Sequence, residues 1–438
     1  MGRPSKLLIQ QFLADFLKGY SMRLLSVFCA TTSLCTVLAM PAFAQTAPAP
    51  APPAPAAAAP AAPAAPAAPA APAAPTLLGP AMTQPLAMNA NPYSLNVGPL
   101  GTWYISGALS AFGYAQSNAT KASHSDNDLG GDVDDAQLVI QKTTGIWQFY
   151  VQAGLYSVPA LGTPYVNTVR YTDDTFGPVP IAYLKLQPTD SFSVQGGKLA
   201  TLFGAEQFGT YQNINIERGL LFNLEPISGR GVQANYVTGP VTTSVQWSDG
   251  MNSDRFNWAS SSVAWTIDSI NSISFVGGGS IKENDINSFA APLVQNNSQI
   301  YDLIYTYSSG ALTLTPYFQY TRVGAAPAIG LLKAGGSYGV ALLGNYNIND
   351  NFSLGARAEY LKGDGSQSDP EGTNVTFYGP GSRAYSFTLT PNYKWDKYFV
   401  RAEGSFTGLD SATPGDAFGT DYTKQTQARA LIEAGVLF

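Results

Sequence analysis

Four charged residues mark the segment FGAEQFGTYQNINIERGLLFNLEPIS: Glu206, Glu217, Arg218 and Glu225. The rest of the stretch is rich in Phe, Leu, Ile and Gly, so these charges sit among apolar neighbours. Carboxylates and a guanidinium held that way do one of two things. They line a narrow aqueous passage and select ions by sign, or Arg218 pairs with a carboxylate and pins the segment. Eight more charged residues, Lys185, Asp302, Arg357, Glu359, Arg401, Glu403, Arg429 and Glu433, each interrupt a stretch in which apolar and polar residues alternate. Catalytic chemistry is poorly supplied by comparison. His124 is the only histidine, and the two cysteines, Cys29 and Cys35, lie near the N-terminus. A zinc centre or a Ser–His hydrolase therefore lacks its ligands or its base, and neither catalysis nor a cofactor is expected. The spacing Asp126-x-Asp128-x-Gly130 begins like a calcium loop but lacks the carboxylate at the twelfth position, which favours a solvated acidic loop.

The elements that must carry these residues are strands. Of 438 residues, 12% are charged and 45% hydrophobic, with 43 Gly, 24 Tyr and 22 Phe. Globular proteins carry about a quarter charged residues, so these surfaces face something other than water. Beyond residue 45 no apolar run approaches the roughly 20 residues of a membrane helix. A closed β-barrel is the membrane structure that remains.

Strands are expected near 103–116, 134–142, 146–157, 180–187, 191–199, 229–237, 241–248 and 257–267. Eight more follow near 271–279, 298–307, 311–322, 336–347, 351–362, 382–393, 397–406 and 426–438. Tight turns such as Thr143-Thr144-Gly145, Thr238-Gly239-Pro240 and Ser308-Ser309-Gly310 alternate with long polar loops. That alternation predicts an all-β, transmembrane, up-and-down antiparallel barrel of sixteen strands. Short turns on one side place both barrel termini in the periplasm and the long loops outside. Trp147, Phe149, Val151, Ala153 and Leu155 form a lipid face opposite Gln148, Tyr150 and Gln152. Leu312, Leu314, Pro316, Phe318 and Tyr320 form another, with Pro316 tolerable only at an irregular rung. Strand 103–116 gives no clear face. The eight strand charges all fall on the side away from lipid, where a charge avoids a cost of ~2–4 kcal/mol. Six of them, on the last four strands, make one charged lumen wall. The apolar third long loop, 200–228, should leave water and fold into the lumen.

Upstream, MRLLSVFCATTSLCTVLAMPAFAQ from Met22 reads as a signal peptide cleaved after Ala44, so residues 1–44 are an extension and leader with its core in 22–44. Loss of Arg3, Lys6, Lys18, Arg23 and Asp15 leaves 19 basic and 28 acidic residues of the original 23 and 29, a balance that disfavours nucleic acid. Residues 46–75 are an Ala/Pro tract, and 45–95 reads as a disordered periplasmic spacer that is either a tether or a contact with peptidoglycan. The barrel takes 96–438 and closes with ARALIEAGVLF, whose terminal Phe438 resembles the signal that outer-membrane proteins present to their assembly machinery.

One stretch also resembles a family. Residues 196–236, with Gly197-Lys198, Gly204 and Glu206, Asn213, Asn215, Arg218, Phe222, Pro226, Gly231 and Tyr236, are similar to the OmpL-like β-barrel porins of Gram-negative bacteria. The resemblance implies an outer-membrane pore with Glu206, Glu217, Arg218 and Glu225 at its constriction. The expected function is passive diffusion of small hydrophilic solutes and ions. An anchor or adhesin with an occluded lumen is the alternative. Partners expected on this reading are outer-membrane lipids, lipopolysaccharide bridged to the acidic loop by divalent ions, and the assembly machinery. A homotrimer follows only by analogy with other sixteen-stranded porins.

Overall fold

The computed structural model describes residues 86, 91–369 and 371–438. The chain falls into two units, Met1–Ala71 and Pro72–Phe438, and every described residue belongs to the second. The expected signal peptide and the Ala/Pro tract lie outside the described residues.

A short β1 (Tyr93–Asn96) precedes β2 (Thr102–Gln116), β3 (Leu129–Lys142), β4 (Trp147–Tyr156), β5 (Ile181–Thr189), β6 (Phe192–Ala200), β7 (Ser228–Thr238), β8 (Val241–Ser248) and β9 (Trp258–Thr266). Then come β10 (Asn271–Ser280), β11 (Ser298–Ser309), β12 (Leu312–Val323), β13 (Gly335–Asn347), β14 (Phe352–Gly363), β15 (Arg383–Trp395), β16 (Tyr398–Ser411) and β17 (Thr426–Leu437). Each strand from β2 onward pairs antiparallel with the next. β17 returns to β2, with Leu437 opposite Ala108 and Arg429 opposite Gln116. This closes a sixteen-stranded barrel in which each of β2–β17 has a neighbour on both sides. The fold is the one the alternation of turns and loops predicts.

The alternation also fixes the faces. Val245, Trp247, Phe275, Leu303, Phe318, Leu342, Phe387 and Ile432 are exposed, while their neighbours Gln246, Asp302, Gln319, Leu343 and Leu431 are buried. Near the short turns, Phe192, Tyr236, Trp265, Tyr346, Tyr393, Trp395 and Tyr398 are exposed on the apolar face, in the position of an interfacial aromatic girdle. Gly239 and Gly310 stand in two of those turns with φ of +54° and +56°, a conformation costly for other residues.

Three strand prolines each fall at a gap in one ladder. The β11–β12 register passes from Ile304–Tyr317 to Tyr307–Leu314, skipping Pro316. The β15–β16 register passes from Leu389–Gly404 to Asn392–Arg401, skipping Pro391. Between β5 and β6 it shifts from Leu186 to Thr189 across Pro188. Proline has no N–H to give, so each takes the rung that does not need one.

Some boundaries differ from expectation, and β16 runs on to Ser411, opposite Arg383. β3 begins at Leu129, because Leu129-Gly130-Gly131-Asp132-Val133 continues the ladder against β2 despite its loop-like composition. β1 pairs with β2 over Tyr93–Asn96, and Leu86 is buried with Ala108, Tyr211, Phe399 and Leu437. The end of the expected spacer is therefore packed on the barrel. β2 gave no clear face because its inner side is aromatic: Phe112 and Tyr114 are buried, and Tyr114 stacks on Tyr165 at 3.8 Å between ring centroids.

Candidate functional site

Six of the eight strand charges converge on the buried side of β14–β17, while Lys185 lies on β5 and Asp302 on β11. Arg401 and Glu433 are opposite one another across β16 and β17 and form a buried ion pair, with Arg401 Nε donating to Glu433 Oε2 at 2.9 Å. Arg357 Nη1 lies 2.5 Å from Glu206 Oε1, and its Nε lies 3.3 Å from Glu359 Oε2. Arg429 Nη1 donates to Glu217 Oε1 at 2.7 Å. Two of these pairs join a wall arginine to a carboxylate of the 201–227 segment.

That segment also gives its backbone to the wall. The N–H groups of Ile216 and Glu217 donate to Glu403 at 2.5 and 3.0 Å. Leu220 and Leu221 donate to Glu359 at 3.0 and 3.3 Å. Backbone N–H groups that would otherwise be orphaned are thus met by charged acceptors, the stronger class of hydrogen bond. Leu220, Leu221 and Leu224 pack with Tyr317, Ala341, Leu343 and Leu361. A segment joining β6 to β7 reaches residues of β12–β17 only from the side of the sheet opposite the exposed apolar face.

Inside the segment Arg218 works on its own loop. It donates to the carbonyls of Gln207 at 3.2 Å, Ile216 at 2.9 Å and Phe208. Asn213 donates to the carbonyls of Gln207 and Gly209 at 2.8 and 2.7 Å. Burial lowers the Arg218 guanidinium against the pull of Asp134, Asp135 and Glu206. Burial raises Glu206, opposed by Arg357. Burial and then the Asp302 carboxylate raise Glu225 well above the ordinary carboxylate range. Lys185 stands apart, half-buried on β5 opposite Gln195.

At the loop end of the barrel a cavity of about 580 Å³ is lined by Tyr165, Tyr171, Phe176, Phe222, Phe289 and Phe377, with Arg170, Asp174 and Glu225 as charged members.

The family model described as "Putative beta-barrel porin-2, OmpL-like" matches residues 102–438. The chain belongs to the OmpL-like β-barrel porin family. No curated protein matches it in sequence. Among solved structures it is similar to the outer-membrane channel DcaP of Acinetobacter baumannii, at 10% identity and a TM-score of 0.51, covering 77% of this chain and 97% of that one. The outer-membrane OmpT of Vibrio cholerae aligns at 13% identity and 0.50, covering 77% and 98%. OmpF of Salmonella typhi, in a complex with daunomycin, aligns at 10% and 0.50, with the same coverage. At such identities the structural likeness speaks for the fold. Family and fold together make this a porin-type barrel of the Gram-negative outer membrane.

Sequence reasoning missed the acids of β3. Asp134 and Asp135 are consecutive, yet both are buried. A bulge explains this: the register passes from Leu109–Ala136 to Ala111–Val133, so Ser110 faces two residues at once. Both aspartates then meet the Thr210 hydroxyl, Asp135 Oδ2 at 3.0 Å. Asp126 is a correction of another kind. The loop around it is exposed at His124, Asn127 and Asp128, but Asp126 itself is buried and accepts from Gln116 Nε2 at 2.8 Å, Thr120 Oγ1 at 2.7 Å, and the backbone N–H groups of Lys121 and Tyr165 at 2.8 and 3.3 Å. It ties the first long loop to the second. We expect Asp126→Ala to strand those donors at a cost of about 1–3 kcal/mol, seen as rapid proteolysis within 117–128 and 157–180 while the strands stay protected. Equal protease resistance of variant and parent would contradict this role. His124 is exposed.

Proposed function

We propose that this protein is a porin through which small hydrophilic solutes and ions cross the outer membrane passively, in a lumen narrowed by the 201–227 segment. The observation that carries the reading is a set of partly accessible polar residues on the wall away from the ion pairs. On the inner face of β5–β10, Lys185, Gln195, Asn235, Thr242, Ser262 and Ser274 are only partly buried. They are polar and share one face by register. A wetted, hydrogen-bonding strip of that kind opposite an ion-paired wall supports conduction past the segment. On this reading Glu206, Glu217, Arg218 and Glu225 shape the constriction by fixing the segment, with the charges of Glu206 and Glu217 met by Arg357 and Arg429.

Purified protein in a planar bilayer tests the proposal: stepwise conductance is expected, and its complete absence would favour a plugged anchor. Lys185 then becomes the accessible selectivity charge. Lys185→Glu is expected to move the reversal potential under a salt gradient toward cation preference and leave folding untouched. An unchanged reversal potential would take Lys185 out of the ion path.

A further inference from the structure

Within the barrel, Glu225 and Asp302 make a second kind of carboxylate site. Of the acids on the β14–β17 wall, Glu359 and Glu433 have arginine partners and Glu403 has both oxygens met by the Ile216 and Glu217 N–H groups and the Thr390 hydroxyl, whereas neither Glu225 nor Asp302 has a basic group within 4.0 Å among the described residues. Both are buried, with Glu225 6% and Asp302 1% exposed. They converge on Gly204. The Gly204 N–H donates to Asp302 Oδ2 at 3.0 Å, and a Cβ built on Gly204 would come 1.8 Å from Glu225 Oε2. Gly204 has φ +81°, so both its backbone and its missing side chain make room for the two carboxylates.

The remaining contacts leave oxygen atoms over. Glu225 Oε1 accepts from the Tyr317 hydroxyl and from Gln319 Nε2 at 2.8 Å. Gln319 faces Asp302 across β11 and β12, and Thr321 follows two residues later on the same face. Four oxygens here are buried without any partner: Glu225 Oε2, Asp302 Oδ1, Gln319 Oε1 and Thr321 Oγ1. Gln319 and Thr321 are each 1% exposed. Buried polar atoms are rarely left unpaired, and two uncompensated buried carboxylates are costlier still. Two carboxylates, an amide oxygen and a hydroxyl are a hard, all-oxygen donor set, with a charge that a divalent ion cancels.

We propose that Glu225, Asp302, Gln319 and Thr321 bind a calcium ion that ties the end of the 201–227 segment to β11 and β12. No group of three or more acidic, histidine or cysteine residues clusters for a metal among the described residues; this site uses two acids and completes its shell with neutral oxygens and water. Glu225 also borders the 580 Å³ cavity, which gives the ion a way in. With only two charged ligands the affinity should be modest, about 0.1–1 mM. The site does not depend on the channel reading, since a plugged barrel would bind the ion equally well.

The test uses full-length protein refolded in detergent without lipopolysaccharide and stripped with EDTA. Calorimetric titration with calcium chloride should show one site, with magnesium weaker, and calcium should raise the urea midpoint of unfolding. Glu225→Gln and Asp302→Asn should each weaken calcium binding more than about ten-fold, while the exposed-loop change Asp128→Asn should not. Thr321→Val, which removes a neutral ligand and no charge, covers the case in which an acid variant fails to fold. Absence of calcium-specific heat from the folded parent would overturn the proposal. So would undiminished binding in the variants, or a pair that is stabilised only by acid, which would mean that the two carboxyls share a proton.

Discussion

Arg357→Met is expected to loosen residues 205–219 and to cost about 3–5 kcal/mol of stability, the usual penalty for leaving a buried charge without its partner. Methionine keeps much of the volume and removes the charge together with the guanidinium's N–H donors. Arg357 and Glu359 are essentially unexposed, and Glu206 is 7% exposed at its side chain. The substitution leaves Glu206 and Glu359 without that guanidinium, and it also removes the donor to the Glu217 carbonyl at 2.7 Å. Glu206 accepts the Gly219 N–H at 2.8 Å, so the disturbance passes directly into the segment. The leucines oppose complete release. Burying each is worth about 1.5–3 kcal/mol, and Leu220, Leu221 and Leu224 together outweigh one ion pair. The segment should therefore stay anchored at 220–224 and loosen before it. Two measurements check this: a lower urea midpoint, and in bilayers a larger or noisier conductance than the parent. Adding Glu206→Gln to Arg357→Met should recover part of the loss, since coupled neighbours are not additive. A variant as stable as the parent, with identical conductance, would mean that the ion pair holds nothing.

The strands were legible because a lipid-facing barrel repeats one instruction, apolar out and polar in, at a period of two. Trp147 to Leu155 and Leu312 to Tyr320 carry it without interruption, and inward charges such as Arg401 and Glu403 follow by parity. Legibility fails where parity is broken or the environment is unusual. The bulge at Asp134-Asp135 puts neighbours on one face, so a period-two reading assigns one of them wrongly. Phe112 and Tyr114 face inward because the second long loop brings Tyr165 to meet them. Arg218 shows the limit for single residues. Its charge and apolar setting suggested either a filter or a pairing with a carboxylate, and its hydrogen bonds go to three carbonyls of its own loop. The partners of Glu206 and Glu217 are Arg357 and Arg429, far along the chain, and no local pattern announces them.

Gly107→Val is expected to prevent closure of the barrel. At the seam the Gly107 N–H donates to the Phe438 carbonyl at 2.8 Å, and the Phe438 N–H donates back at 3.0 Å. A Cβ on Gly107 would lie 2.5 Å from the Gln137 carbonyl oxygen and 2.5 Å from the Phe438 ring. The ring could turn away; the Gln137 backbone, held in the β2–β3 ladder, could not. Overpacking costs ~1–3 kcal/mol, and valine adds two further methyl groups, so the upper end applies at a junction that must form for the other fifteen pairings to enclose a lumen. Deleting Phe438 attacks the same seam differently, removing the two hydrogen bonds and the ring and adding no clash. The pair of variants therefore separates geometry from recognition. If Phe438 serves only as a seam residue, the deletion should lower yields of heat-modifiable folded barrel comparably in detergent refolding and in cells. If it is also read by the assembly machinery, the deletion should refold in detergent far better than it reaches the outer membrane, whereas Gly107→Val should fail in both. Normal surface levels of the truncated protein would leave Phe438 with neither role.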